Sequence, residues 1–119
     1  MWVMTHEELL RTMYDGFNAR DIDAVLAAMT QDVDWPNGWE GGRLTGHEAV
    51  REYWTRQWAA IDPRVEPTEI GPRADGRVEV RVHQVVRDLS GTVLADGTVV
   101  HVYDMRSGLV ARMDIEEPD

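Results

Sequence analysis

The spacing of apolar residues changes from helical to alternating near residue 62, which divides the chain into two halves. Residues 5–18 predict a first helix, because Thr5 and Glu8 have the spacing of a capping box and an apolar stripe follows them. Asp21 is the expected cap of a second helix, whose apolar face runs to Met29.

The third predicted helix begins at a second capping box, formed by Thr45 and Glu48. It carries apolar and aromatic residues up to Ile61 and ends before Pro63, since proline cannot continue a helix. Between the second and third helices, residues 32–35 alternate as a short strand, and a glycine-rich loop follows over residues 36–42.

The C-terminal half alternates with a period of two, which is typical of strands. Pro67 and Pro72 restrict a strand at residues 64–73 to an edge of the sheet or to an interrupted strand, and residues 95–97 predict a bulge. Three further strands follow between tight turns, at 77–89, 92–106 and 109–116. No connection looks long enough for a parallel crossover, so we expect an antiparallel sheet. The chain, 1–119, is predicted to be a single α+β domain in which three N-terminal helices pack on four to six strands.

Composition excludes several classes of function. The chain has no cysteine, so disulfides and thiolate chemistry are excluded, and its net charge is −10 with arginine as the only cationic residue. This charge disfavours nucleic acids and anionic membranes, and no apolar run is long enough to span a bilayer. We therefore expect a cytoplasmic protein with no nucleic-acid or membrane partner. No phosphate-binding loop or metal-binding motif is present, and we expect neither a metal nor a cofactor.

Apolar residues occupy both faces of the long strands. Val99, His101, Tyr103 and Met105 share one face of their strand, and Val100 and Val102 share the other. A sheet with two partly apolar faces commonly packs helices on one side and a partner on the other. We therefore predict a homodimer through the outer face of the sheet.

His101 is the first candidate for chemistry, because it lies in an apolar, alternating strand whose face should point inward. An imidazole in an apolar cavity can donate, accept or transfer a proton near neutral pH. A core histidine bonded to a neighbouring carbonyl or tyrosine is the alternative, and the sequence leaves both open. His83 points to the opposite face, so a surface or interface role is expected there. Asp34, Asp104 and Asp114 alternate away from the apolar set, although a bulge would turn Asp114 inward.

Aromatic residues are dense where the loop, the first strand and the third helix meet. Trp35 and Trp39 flank the loop and are placed to line a cavity mouth, whereas Trp54 and Trp58 are expected mainly to pack. Tyr14 could offer a hydroxyl group or belong to the apolar stripe of its helix. Glu40, in the loop, is a further candidate acid or base. Scattered polar groups among aromatic residues are typical of a small-molecule pocket.

Several segments resemble SnoaL-like and ketosteroid-isomerase-like proteins. They are residues 14–25 (YDGFNARDIDAV), 32–35 (DVDW), 46–54 (GHEAVREYW), 101–103 (HVY) and 107–110 (SGLV). The resemblance implies a cone, in which a bent sheet surrounds a cavity closed by helices, and usually a dimer. This fold is shared with the nuclear transport factor 2-like superfamily, whose members include isomerases, cyclases, hydrolases, dehydratases and proteins without chemistry.

The resemblance also implies positions for catalytic groups. The aspartate base of the steroid isomerases corresponds here to Asn37, which cannot take a proton at neutral pH. Their oxyanion tyrosine corresponds to Met13, one position before Tyr14, and their oxyanion aspartate corresponds to His101. The isomerase mechanism as known in that family is therefore not expected to operate unchanged.

Together, these observations predict a protein with a pocket for a small apolar metabolite. If it is an enzyme, it would catalyse acid–base chemistry without a cofactor, such as isomerisation, cyclisation, hydration or dehydration. His101 would transfer a proton or polarise the substrate. Tyr14, Asn37 and Tyr103 would orient the substrate. The apolar walls are predicted to be Met13, Trp35, Trp39, Trp54 and Met113. The alternative is a non-catalytic dimeric binding or accessory module.

Overall fold

A computed structural model of the chain describes residues 4–118 and contains three helices, as the apolar pattern predicted. Helix α1 spans His6–Asn18, and Thr5 forms the predicted capping box: Glu8 N donates to Thr5 Oγ1, while Thr5 N donates to the Glu8 carboxylate. Helix α2 covers only Ile22–Leu26, because the chain enters a strand at Met29.

The second predicted capping box is wrong. Helix α3 spans His47–Ala60, and its N-cap is Gly46, which has a φ of 90° and no side-chain cap hydrogen bond. Thr45 instead ends a short strand that precedes the helix. A positive φ is a conformation that glycine adopts without steric cost, so Gly46 allows the abrupt change from strand to helix.

Six strands form one curled sheet in the order β2-β1-β6-β5-β4-β3. Their bounds are Met29–Pro36 (β1), Arg43–Thr45 (β2), Ile61–Pro72 (β3), Val78–Asp88 (β4), Val93–Arg106 (β5) and Leu109–Glu116 (β6). The proline-containing strand β3 lies at an edge, as predicted. The bulge between β4 and β5 falls nearer the hairpin than expected, since Val86 pairs with Ala95 and Arg87 with Val93.

The expectation that every strand pair is antiparallel is wrong for β1 and β6, which pair in parallel. The other pairs are antiparallel. The whole of the intervening chain connects these two strands, so the crossover is made by the rest of the domain. Strand β2 was not predicted, because three residues after a glycine-rich loop carry too little pattern to identify a strand.

The inner, concave face of the sheet packs against the helices, and its buried residues form one core with Leu10, Val50 and Trp54. On the outer face, Val100 and Val102 are only 4% and 0% exposed within the single chain. Their neighbours in register on the adjacent strands include Glu79, Asp114 and Glu116. The apolar outer-face residues that suggested a homodimer are thus already covered inside one protomer.

Charged side chains connect the strands across this outer face. Asp34 on β1 accepts hydrogen bonds from Arg43 at 2.6 Å and Arg112 at 2.7 Å, while Asp114 on β6 bonds to the same two arginines. Asp114 therefore points outward, and the Arg112 guanidinium holds the pKa of its carboxyl below the ordinary value. Within residues 4–118, no helix has the length and apolar character that crossing a membrane requires.

Candidate functional site

A cavity of about 410 Å³ lies between the helices and the concave face of the sheet. Helix α1 contributes Met13, Tyr14 and Phe17 to its wall, and α3 contributes Tyr53, Trp54 and Gln57. The strands supply most of the remaining wall, including Trp35, Val65, Gln84, Val99, His101, Tyr103 and Met113. The volume is within the usual range for pockets that bind small molecules.

Three polar side chains meet in the most buried part of this wall. Tyr14 Oη lies 2.8 Å from His101 Nδ1 and 2.6 Å from Tyr103 Oη, so the Tyr14 hydroxyl bridges the other two groups. His101 is 7% exposed and Tyr103 is fully buried. The strand places His101 and Tyr103 two residues apart on one face, as the alternation predicted, and α1 places Tyr14 opposite them.

Burial holds all three groups in their uncharged forms. Desolvation lowers the pKa of His101 from 6.5 to about 4, so its imidazole is neutral at pH 7. Desolvation also raises the pKa of the Tyr103 phenol. It raises the pKa of the Tyr14 phenol as well, and the neighbouring Tyr103 raises that pKa further. A neutral imidazole carries a proton on one nitrogen only, so it can donate with one and accept with the other.

His101 Nε2 makes no hydrogen bond within the described part of the chain, in contrast to Nδ1, which faces the tyrosines. The Nε2 atom is also not completely buried, in contrast to the unpartnered Trp58 Nε1. This nitrogen is therefore open to the cavity and available to a ligand. The ring thus bonds to a buried tyrosine and also lines the cavity.

Aromatic rings form the apolar part of the wall. Trp35 and Trp54 meet edge to face with ring centroids 5.5 Å apart, and Trp35 also contacts Tyr103 at 6.4 Å. Trp58 stacks on Trp54 but does not line the cavity, in line with its expected packing role. Met13 and Met113 both line it, and Met13 occupies the wall beside Tyr14 without taking part in the hydrogen bonds.

The loop after β1 lies at the cavity mouth. Gly38 and Trp39 line the cavity, and Trp39 is 42% exposed. Asn37 does not line it: its Oδ1 accepts hydrogen bonds from the backbone N–H groups of Trp39 and Glu40, and its Nδ2 donates to the Glu40 carboxylate at 3.0 Å. The Asn37 side chain thus holds the loop, and we do not retain it among the groups that would act on a ligand.

Glu40 is also occupied at the surface. Arg56 on α3 donates to its carboxylate at 2.8 Å, and this hydrogen bond, with that of Asn37, lowers the pKa of Glu40. It therefore remains ionised at neutral pH and connects the loop to α3. His83 points away from the cavity and its Nε2 lies 2.7 Å from the Asp96 carboxylate.

Among residues 4–118, no charged side chain lines the cavity when His101 is neutral. Within residues 4–118, no three histidine, aspartate or glutamate side chains converge in the way that metal ligands do. Polar capacity is instead supplied by the Tyr14–His101–Tyr103 group and by Gln57, Gln84 and Tyr53. The sequence did not single out Gln84. The pattern that could have identified it is the alternation of β4, which places Gln84 on the same face as the inward-facing Val80, Val82 and Val86.

Comparison with known proteins gives a family and a fold. The sequence profile of the SnoaL-like domain matches residues 10–113, which is most of the chain. No curated protein sequence gives a significant match.

Solved structures resemble the whole chain. TerC, co-crystallised with polyporic acid, is 32% identical, with a TM-score of 0.81 over 95% of this chain and 91% of TerC. An NTF2-like protein of unknown function from Burkholderia pseudomallei is 25% identical, with a TM-score of 0.81 over 95% and 90% of the two chains. A putative polyketide cyclase from Sinorhizobium meliloti is 22% identical, with a TM-score of 0.76 over 91% and 93%, and supports the fold alone.

Proposed function

The chain belongs to the SnoaL-like domain family, and we propose that its cavity binds a small, uncharged, largely apolar molecule and transfers a proton within it. The observation that carries this proposal is the hydrogen-bonded group of Tyr14, His101 and Tyr103 in an otherwise apolar wall. An oxygen-bearing part of the ligand would lie against His101 Nε2 and Tyr103.

The neutrality of the cavity supports an uncharged ligand. A carboxylate or ammonium group placed there would lose its hydration without gaining a charged partner, which costs several kcal/mol or more. A ring-containing or otherwise apolar body would instead replace water along Trp35, Trp54 and Met113. That TerC, at 32% identity, was co-crystallised with polyporic acid is consistent with an organic ligand for this chain.

The three polar groups form a path along which a proton can move without creating a charged side chain. In one arrangement, His101 Nδ1–H donates to Tyr14, Tyr14 donates to Tyr103, and Tyr103 has its own hydrogen free for the ligand. His101 Nε2 is then an unprotonated base facing the cavity. In the other arrangement, every hydrogen bond is reversed and Nε2 carries the proton.

A keto–enol shift would convert the first arrangement into the second. Nε2 takes a proton from the carbon beside the ligand carbonyl, and the electrons of that C–H bond form the C=C bond of the enol. The Nδ1 proton passes to Tyr14, the Tyr14 proton passes to Tyr103, and the Tyr103 proton passes to the carbonyl oxygen. Exchange with solvent through the mouth restores the starting arrangement. A side chain with a pKa of about 4 is a weak base, and the simultaneous donation by Tyr103 offsets this weakness.

A non-catalytic binding protein is the second candidate. In the part of the chain that the structure describes, no carboxylate lines the cavity, which favours this candidate because a carboxylate is the base that the resemblance to steroid isomerases would require. In that case, the same three side chains would only donate to and accept from a bound ligand.

Deuterium incorporation from D2O into 2-tetralone tests the choice between the two. The ketone is uncharged and apolar, and NMR follows the loss of its C1 hydrogens. We expect the wild-type protein to accelerate exchange, and His101→Asn to reduce the acceleration about 100-fold or more. Binding of 2-tetralone without acceleration would support the non-catalytic alternative. Exchange that is unchanged in a folded His101→Asn variant would contradict the catalytic proposal.

We also propose assembly as a homodimer through the outer face of the sheet. Since Val100 and Val102 are already buried, its contacts would be made chiefly by the charged residues around them. The cavity and its polar groups come from one protomer, so the proposed chemistry does not depend on the dimer.

A further inference from the structure

A second polar position lies on the cavity wall, away from the Tyr14–His101–Tyr103 group. Gln84 of β4 lines the cavity and pairs in register with Gly97 of β5. Among residues 4–118, its side-chain amide has no hydrogen-bond partner. Gln57, the other glutamine of the wall, differs, because its amide donates to Tyr53 Oη at 3.2 Å. Gln84 therefore presents free donor and acceptor groups to whatever fills the cavity.

Gln84 is too far from His101 for one functional group to contact both. Gly97, opposite Gln84, lies four residues before His101 on β5, which at about 3.3 Å per residue is about 13 Å along the strand. An even separation keeps both positions on the same face, and Val99 lies between them on the cavity wall. The wall thus has two polar positions separated by an apolar stretch.

The space beside Gln84 is open. A Cβ atom at Gly97 would have no atom of a non-adjacent described residue within 4 Å. The missing side chain at this register position leaves room for a ligand to reach the Gln84 amide. Exposure increases along β5 in this direction, from buried His101 to exposed Ala95, so this polar position lies toward the outer end of the cavity.

We propose that Gln84 is a specificity-determining residue, which binds a hydroxyl, carbonyl or amide group at the far end of an elongated, uncharged ligand. The other end of that ligand carries the oxygen that meets His101 and Tyr103, and its middle is apolar. This inference rests on the proposed binding function and names the class of molecule that the cavity takes. An amide recognises such a group through a neutral hydrogen bond, which adds selectivity for the ligand with polar groups at both ends.

The test compares 4-phenylphenol with 4,4′-dihydroxybiphenyl, which differ by one hydroxyl group at the far end and are both uncharged at pH 7. Calorimetric titration measures the dissociation constant of each for the wild type and for Gln84→Leu, Gln57→Leu and Gly97→Val. We expect the wild type to bind the diol about three- to tenfold more tightly than the monool. Gln84→Leu should remove this preference while leaving the affinity for the monool nearly unchanged. Gln57→Leu should retain the preference.

Gly97→Val is the second route to the same result, because valine is well tolerated in strands and would occupy the open space. We expect it to weaken binding of the diol more than binding of the monool. Circular dichroism melts establish that each variant is folded. A wild type without preference for the diol, or a preference that survives Gln84→Leu, would overturn the assignment of Gln84. Neither result would affect the proposed function, which the exchange of 2-tetralone in the wild type and His101→Asn tests separately.

Discussion

Tyr14 Oη donates to or accepts from His101 Nδ1 across 2.8 Å, although the two residues are 87 positions apart in the chain. The bond connects helix α1 to the central strand β5, and Tyr103 extends it by a second short contact. Because Nδ1 is occupied, the other imidazole nitrogen is left for the cavity. This one contact therefore determines which atom of His101 can act on a ligand.

Tyr14→Phe should separate proton transfer from binding. The variant keeps His101 and Tyr103 in place but removes the hydroxyl that bridges them, which leaves only the longer direct contact of 3.5 Å between Nδ1 and Tyr103 Oη, so a proton should pass less readily between the two ends. We expect the acceleration of deuterium exchange in 2-tetralone to fall at least about tenfold. The affinity for 4-phenylphenol should change little. Equal exchange rates in the variant and the wild type would show that the path through Tyr14 is not used.

The same variant should be less stable than the wild type. Removing the Tyr14 hydroxyl leaves buried His101 Nδ1 and the Tyr103 hydroxyl with only their own 3.5 Å contact in place of two short hydrogen bonds, which costs about 1–3 kcal/mol. Urea unfolding followed by circular dichroism measures this difference. Tyr53→Phe is the control, because the side-chain hydrogen bond of the Tyr53 hydroxyl, from Gln57, is longer at 3.2 Å and its removal should cost less. A larger loss in Tyr53→Phe would contradict the account.

Buried neutral His101 should make the protein less stable in mild acid. Its pKa is about 4 in the folded chain and near 6.5 when solvated, so between these values the unfolded chain binds more protons. The free energy of unfolding is therefore unaffected by the titration of His101 above about pH 6.5. It decreases as the pH falls towards 4, by up to about 3 kcal/mol.

The check is the free energy of unfolding of the wild type and His101→Gln, measured between pH 4.5 and 7. Both proteins share the titration of the other histidines and of the carboxylates, so the difference between them isolates His101. We expect the wild type to lose more stability than the variant on acidification. Parallel curves would mean that His101 titrates normally in the folded protein.

Asn37→Ala should affect access to the cavity without affecting proton transfer. The Asn37 side chain orders the loop that carries Trp39 at the mouth, and it does not reach the cavity. We expect faster association and dissociation of 4-phenylphenol by stopped-flow fluorescence of the tryptophans. The exchange rate of 2-tetralone at saturation should remain that of the wild type, whereas its loss would return Asn37 to the reacting groups.

Gly46→Ala should destabilise the entry to α3. The backbone φ of Gly46 is 90°, which costs a residue with a Cβ atom about 1 kcal/mol or more, although there is room for the Cβ itself. Thermal unfolding measures the loss. Gly46→Asn should lose about as much as Gly46→Ala, since a ψ of 163° lies outside the left-handed helical region that asparagine tolerates, and full stability in either variant would contradict this explanation.

The sequence predicted those parts of the fold that depend on neighbouring residues. Turn residues and alternation located β4, β5 and β6, and prolines 67 and 72 placed β3 at an edge. The parallel pairing of β1 with β6 and the short β2 were missed, because both depend on contacts between segments far apart in the chain. Thr45 had the spacing of a capping residue, but pairing with Asp34 in the sheet overrode that local preference.

For the site, alternation predicted the direction of His101, and the apolar stripe of α1 located Tyr14 without indicating its partner. That partner is determined by how α1 docks on the sheet, which no local pattern encodes. Asn37 was proposed from the resemblance to steroid isomerases, and its side chain instead satisfies backbone N–H groups of its own loop. Such local bonding is common for asparagine in turns, so residue type alone did not distinguish the two roles.

Whether His101 Nε2 contacts the bound ligand is measured most directly by the ¹⁵N NMR spectrum of the histidine side chains during titration with 4-phenylphenol. We predict that the ¹⁵N resonance of His101 Nε2 shifts in proportion to the bound fraction. A Tyr103→Phe variant that no longer binds 4-phenylphenol should show no such shift. His83, which faces the opposite side of the sheet, should not respond. Saturable binding of the probe with no change at either nitrogen of His101 would contradict the account.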